Sequence, residues 1–164
     1  MAENEAQEKP SPERENEKDQ AVKLEVKDEL SISEHRVTID GKEIAYTATT
    51  GRMVMRTEEG KAKASIFFVA YTRQGVGDDP TQRPISFSFN GGPGSASVWL
   101  HLGLLGPRRV LAGDVDAPEL PPYRLTDNEY SLLDLTDLVF IDPVSTGFSR
   151  ASDGEDPKQF HGLE

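Results

Sequence analysis

From about Val22 the apolar and polar positions alternate in short runs, through "VKLEVKDELSISEHRVTIDGKEIAYTATTGRMVMRTEEGKAKASIFFVAYTR". A period of two places alternate side chains on opposite faces, so these runs predict successive half-buried strands. Asp40-Gly41, between "HRVTI" and "KEIAYTAT", predicts a two-residue hairpin, because both residues tolerate the positive φ that such turns require. Glu59-Gly60 marks a second turn before "ASIFFVAYTR". The Gly-, Pro- and Asp-rich segment 74–84, "QGVGDDPTQRP", predicts a surface loop.

The pattern then changes. "ISFSF", Ile85 to Phe89, reads as a strand that runs into Asn-Gly-Gly-Pro-Gly and on into "SASVWLHLGLL". There Val98, Trp99, Leu102 and Leu105 recur at helical spacing, with Ser95 or Ser97 as a candidate cap. "RRVLA" is a short strand candidate, and the Pro-rich stretch after it shows no periodicity. "DLVFIDPVSTGFS", Asp137 to Ser149, has an unbroken apolar centre that predicts a parallel strand covered on both faces. The final "ASDGEDPKQFHGLE" reads as a loop entering a helix. The order predicts an α/β fold in which antiparallel strands lead into a mostly parallel sheet. The last strand would be left on an open edge, so the chain reads as the N-terminal part of a longer protein, incomplete at its C-terminal end.

Composition divides the chain. Residues 1–20 hold seven acids, three bases and two prolines, with no branched apolar or aromatic side chain. Such a segment buries too little surface to offset ordering entropy, so 1–21 read as a disordered acidic tail and 22–164 as the folded part. A net charge of −11 argues against nonspecific attraction to nucleic acid or an anionic membrane, and no apolar run is long enough to span a bilayer. The absence of cysteine excludes disulfides, thiolate zinc sites and a cysteine nucleophile. No histidine and carboxylate set has zinc-binding spacing, so neither a metal nor another cofactor is expected. The tail lacks the apolar region of a secretory signal, which suggests a cytoplasmic chain as it stands and an exported one if its true start lies upstream. Nothing in the pattern fixes an oligomeric state.

The glycine turn carries the candidate chemistry. Gly91, Gly92 and Gly94, with Pro93 between them, shape backbone that side chains would obstruct and free N–H groups ahead of a helix. Such groups suit a phosphate, the oxyanion of an acyl intermediate, or simply a tight strand-to-helix turn. The phosphate reading lacks both a following Lys-Ser/Thr and a G-x-G-x-x-G fingerprint. An oxyanion loop after the third strand of an α/β-hydrolase, often HGGG-like, has its glycines in this place.

"FNGGPGSASVWLHLGLLGPRRV" and "DLVFIDPVSTGFSRA" together resemble, in order and spacing, two signature segments of the serine carboxypeptidase family. Those segments read approximately W-L-N-G-G-P-G-C-S-S with a later G-P-F-like element, and D-Q-P-V-G-T-G-F-S. This chain keeps Asn90, Gly91, Gly92, Pro93, Gly94, Ser97, Gly106 and Pro107, and then Pro143, Val144, Thr146, Gly147, Phe148 and Ser149. The resemblance implies an α/β-hydrolase acting on a peptide with a free C-terminal carboxylate. It implies that the Gly92 N–H stabilises the oxyanion, that Asn90 and the Gly91 N–H bind the terminal carboxylate, and that the Gly92-Pro93 bond is cis. The chain departs from the pattern at Ser88 for tryptophan, Ser95 for a disulfide-forming cysteine, Ser145 for glycine and Arg150 for an aromatic. Leu104 stands where the family has a glutamate of a carboxyl pair near the substrate carboxylate.

A hydrolase of this kind needs a G-x-S-x-G elbow followed by an acid and a histidine, and no such elbow is present. His35, at an expected strand start, His101, on the expected helix, and His161 read as packed or solvated, and Asp142 reads as structural. The expectation is a serine carboxypeptidase whose nucleophile and triad lie outside this chain, so that these 164 residues alone are inactive. The alternatives are a related acyltransferase or esterase, and a non-catalytic interaction protein whose acidic tail binds a basic partner.

Overall fold

The structure, a computed structural model, describes residues 27–162 except 78, 80, 81, 92, 93 and 115. The tail expected over 1–21 lies outside the described residues, and so do Gly92, Pro93 and the bond between them.

Strands β1 (Glu29–Ile39) and β2 (Lys42–Arg56) form the expected hairpin, with Ile39 opposite Lys42. Asp40 and Gly41 between them have φ of 47° and 72°, the two positive values that match the twist of the flanking strands. Strand β3 (Ala62–Arg73) returns along β2 after a turn at Gly60, whose φ is 84°.

Strand β4 (Ile85–Ser88) begins where expected. The segment after the glycine turn is not a regular helix: α1 (Val98–Leu100) passes into a single wider π turn over His101–Leu105. Gly106 closes that turn through its N–H to the His101 carbonyl at 3.0 Å, and a Cβ on it would lie 2.3 Å from that oxygen. The widened turn redirects the apolar positions. Leu100 and Leu105 pack on the core, while Val98 and Trp99 face solvent. Ser97 sits at the cap position, but its side chain makes no cap hydrogen bond.

The "RRVLA" candidate forms a strand, and the Pro-rich stretch after it, which shows no periodicity, supplies further short strands. β5 (Arg108–Val110) pairs with β8 (Leu125–Asp127), and β6 (Gly113–Asp114) pairs with β7 (Ala117–Pro118). Strand β9 (Asp137–Ile141) follows a 3-10 turn at Leu132–Asp134. β10 (Arg150–Ala151) then pairs with the start of β3, and a 3-10 turn over Pro157–Phe160 stands where a helix was expected to begin.

The main sheet runs β1-β2-β3-β9-β4 with β10 alongside β3. Two expectations are corrected by this order. β9 is interior, lying antiparallel to β3 and parallel to β4, so the open edge belongs to β4. β4 with β9 is also the one parallel pairing among the described residues, which makes the sheet mixed and chiefly antiparallel rather than mostly parallel. The core lies on one face, where Val37, Ile39, Ile44, Tyr46, Tyr71, Leu133, Leu138 and Phe140 are buried together. On the other face Ile85 and Phe87 are exposed and Val139 and Ile141 half-buried, so β9 is fully covered on one side only.

The entry to the parallel pair is locked by charge. Arg83 donates from Nε to Asp137 Oδ1 at 2.7 Å and reaches the Leu133 carbonyl, while the Arg73 N–H reaches the same carboxylate oxygen at 3.1 Å. With their starts tied together, β4 and β9 deliver their C-terminal ends side by side, at Asn90 and Asp142.

Candidate active site

Asn90 is half-buried and Gly91 exposed, directly beyond the end of β4. A Cβ on Gly91 would meet no described residue within 4 Å, and the same holds at Gly94, where φ is 101°. Packing against the described residues therefore does not account for the glycine at 91. The N–H of Gly91 makes no backbone hydrogen bond to another described residue. Open space beside a main-chain N–H suits a ligand that approaches main chain closely.

The turn after β9 is built the opposite way. Asp142 is buried, at 3% exposure, and its Oδ1 accepts from Ser97 N at 2.9 Å and from Ser97 Oγ at 2.8 Å. Its Oδ2 accepts from Phe148 N at 3.1 Å, and a Cβ on Gly147 would lie 1.8 Å from that oxygen. Ser149 Oγ donates to the Asp142 carbonyl at 2.7 Å and accepts from Phe67 N at 2.8 Å. Arg150 Nη1 caps the Gly147 and Ser149 carbonyls at 2.9 and 2.7 Å. Asp142 is thus structural, as expected. What the sequence did not reveal is that its carboxylate joins the two quoted segments, because the join spans 45 positions and has no periodic signature.

The histidines divide. His101 is part of the core: its Nε2 lies 2.5 Å from the Tyr71 hydroxyl, and its ring stacks on Phe140 at 4.8 Å. Burial pushes its pKa down to about 4, opposed by the Asp142 carboxylate, and burial also raises the Tyr71 hydroxyl. His101 is therefore neutral at pH 7, with one ring nitrogen already engaged. His35 sits within β1 rather than at its start, exposed against Ser33 and stacked on Tyr46 at 5.6 Å. His161 Nε2 lies 3.0 Å from Ser145 Oγ on the surface, and Ser145 has a left-handed φ of 74°. The Thr146 N–H beside that serine is already bonded to the Pro143 carbonyl at 2.9 Å, so the donor that follows a nucleophile in a hydrolase elbow is spent.

Asn128, which no motif singled out, supports the wall behind the glycine turn. It is buried, and its Nδ2 donates to the Leu104 and Gly106 carbonyls at 2.8 Å each, holding the end of the π turn. Ser131 Oγ adds a bond to the Leu105 carbonyl at 2.8 Å.

A serine carboxypeptidase family model matches residues 42–161, a span containing both turns. No curated protein matches the chain. The chain belongs to the serine carboxypeptidase family. Family membership points to hydrolysis of a peptide substrate.

Proposed function

We propose that the turn from Asn90 to Gly94 is the carboxylate- and oxyanion-binding loop of a serine-type carboxypeptidase with an α/β-hydrolase fold, to which residues 22–164 contribute the N-terminal portion. The Asn90 side chain and the Gly91 N–H take the terminal carboxylate of a peptide. The Gly92 N–H takes the oxygen of the scissile carbonyl as it gains charge. A fixed distance between the two anion sites confines cleavage to the last peptide bond. The serine nucleophile, its histidine and the supporting acid come from chain beyond these 164 residues, so the chain alone binds but does not turn over a blocked dipeptide.

The observation that carries this reading is the open turn itself: at Gly91 no described residue occupies the place of a side chain, and the Gly91 N–H makes no backbone bond to another described residue, within a segment matched by the family. The test compares an N-acetyl dipeptide acid with its C-terminal amide by calorimetric titration of the 164-residue chain. The acid should bind and the amide should bind at least ten-fold more weakly. Asn90→Ala should weaken acid binding by about ten-fold or more, the loss of a hydrogen bond to a charged group at about 1.5–3 kcal/mol, and leave the amide unaffected. Equal affinity for acid and amide would sink the assignment.

A further inference from the structure

We propose that Asp142 is a positioning residue for this carboxylate site, an inference that rests on the reading just given. The glycine turn has two ends, and β9 holds both. At the near end Ser88 of β4 pairs with Phe140 of β9. At the far end Ser97 is gripped by the Asp142 carboxylate through N and Oγ, at 2.9 and 2.8 Å. Two positions at the end of one strand therefore set the span across which the turn is strung.

Asp142 is well suited to that task because it is itself immobilised from three directions. Its N–H donates to the Phe67 carbonyl at 3.0 Å, its carbonyl accepts from Ser149 Oγ, and its second carboxylate oxygen accepts from Phe148 N. The glycine at 147 leaves the space that the carboxylate fills. At the turn, in contrast, no described residue lies within 4 Å of where a Cβ on Gly91 or Gly94 would stand. Glycine backbone has the most conformational freedom of any residue, so the aim of Asn90 and Gly91 is set by the anchors. A loop fixed in its binding shape before the ligand arrives loses less entropy on binding, and that advantage is what Asp142 supplies.

The experiment uses the 164-residue chain with Asp142→Asn, Ser97→Ala and both together, probed with an N-acetyl dipeptide acid and its amide. Asp142→Asn should weaken acid binding ten-fold or more while the amide changes less than two-fold. Backbone order parameters at Gly91, Gly94 and Ser95 should fall, with those of β2 and β3 unchanged. Ser97→Ala should act in the same direction more weakly, and the double variant should be no worse than Asp142→Asn alone. Unchanged order parameters in the turn would overturn the proposal. So would a loss shared equally by acid, amide and sheet, which marks general destabilisation. If the wild-type chain itself does not distinguish acid from amide, the carboxylate assignment fails, and the order parameters still decide whether Asp142 holds the turn. If Asp142→Asn does not fold, the milder Ser97→Ala decides by the same two measurements.

Discussion

Two turns leave the paired ends of β4 and β9, and they use their main-chain donors differently. Around Asp142 to Ser149 side chains answer much of the backbone: the Asp142 carboxylate takes three donors, Ser149 Oγ joins the Asp142 carbonyl to the Phe67 N–H, and Arg150 caps the Gly147 and Ser149 carbonyls. At Gly91 and Gly94 no described residue lies where a side chain would stand, and the Gly91 N–H makes no backbone bond to another described residue. The two turns are joined where Ser97 donates to the Asp142 carboxylate. A protein can leave amide donors unpaired where solvent or a ligand will answer them, provided that neighbouring structure carries the cost of holding them in place.

The sharpest way to break this contrast is Gly147→Ala. The added carbon would sit 1.8 Å from Asp142 Oδ2, at a residue whose φ is 45°. The carboxylate must move, which strands the donors of Ser97 and Phe148. Loss of a buried network of this kind costs on the order of 3–5 kcal/mol, read from the urea unfolding midpoint. A loss under about 1 kcal/mol would show that the turn after β9 does not depend on this network.

Acid separates the two turns next. His101 follows the glycine turn, and its pKa falls from 6.5 to about 4 on burial. Between those values the unfolded chain binds a proton that the folded chain refuses. Its contribution is therefore complete above about pH 6.5 and fades as the pH falls toward 4, amounting to about 3 kcal/mol at most. Unfolding measured from pH 7 to pH 4 should show this decline, and His101→Phe should flatten it. An unaltered slope in that variant would assign the acid sensitivity elsewhere.

The smallest effect refines the turn after β9. Ser145 has a left-handed φ of 74°, in a place where the family resemblance has glycine. Ser145→Gly should raise stability by about 0.5–1 kcal/mol, because it removes the Cβ penalty of that conformation. A fall in stability would mean that the surface bond to His161 outweighs the strain.

Local chemistry was legible in the sequence, and long-range assembly was not. Asp40-Gly41 specified its own hairpin, and Ile85 and Asp137 opened strands where the apolar runs begin, because turn preference and alternation act over a few residues. The lateral position of β4 outside β9, and hence the identity of the open edge, depends on pairing between distant segments that alternation does not encode. The π turn is not legible in the sequence, because its apolar spacing matches that of an ordinary helix and the wider turn is set by the Gly106 N–H on His101 and by Asn128 on the Gly106 carbonyl. At the site, the candidate ligand-binding residues Asn90 and Gly91 were read from a motif, whereas their anchor at Asp142 emerges only when the two segments meet.

The parallel pairing of β4 with β9 also dictates an order of assembly. The hairpin of β1 and β2 and its extension to β3 close through short local turns, and such contacts form early because little chain entropy is spent in making them. Ile85 finds Asp137 only after the whole intervening segment has been gathered in. The glycine turn then acquires its second anchor, Ser97 on Asp142, in the same event, so it should take its final shape late in folding, after most of the antiparallel sheet is already in place.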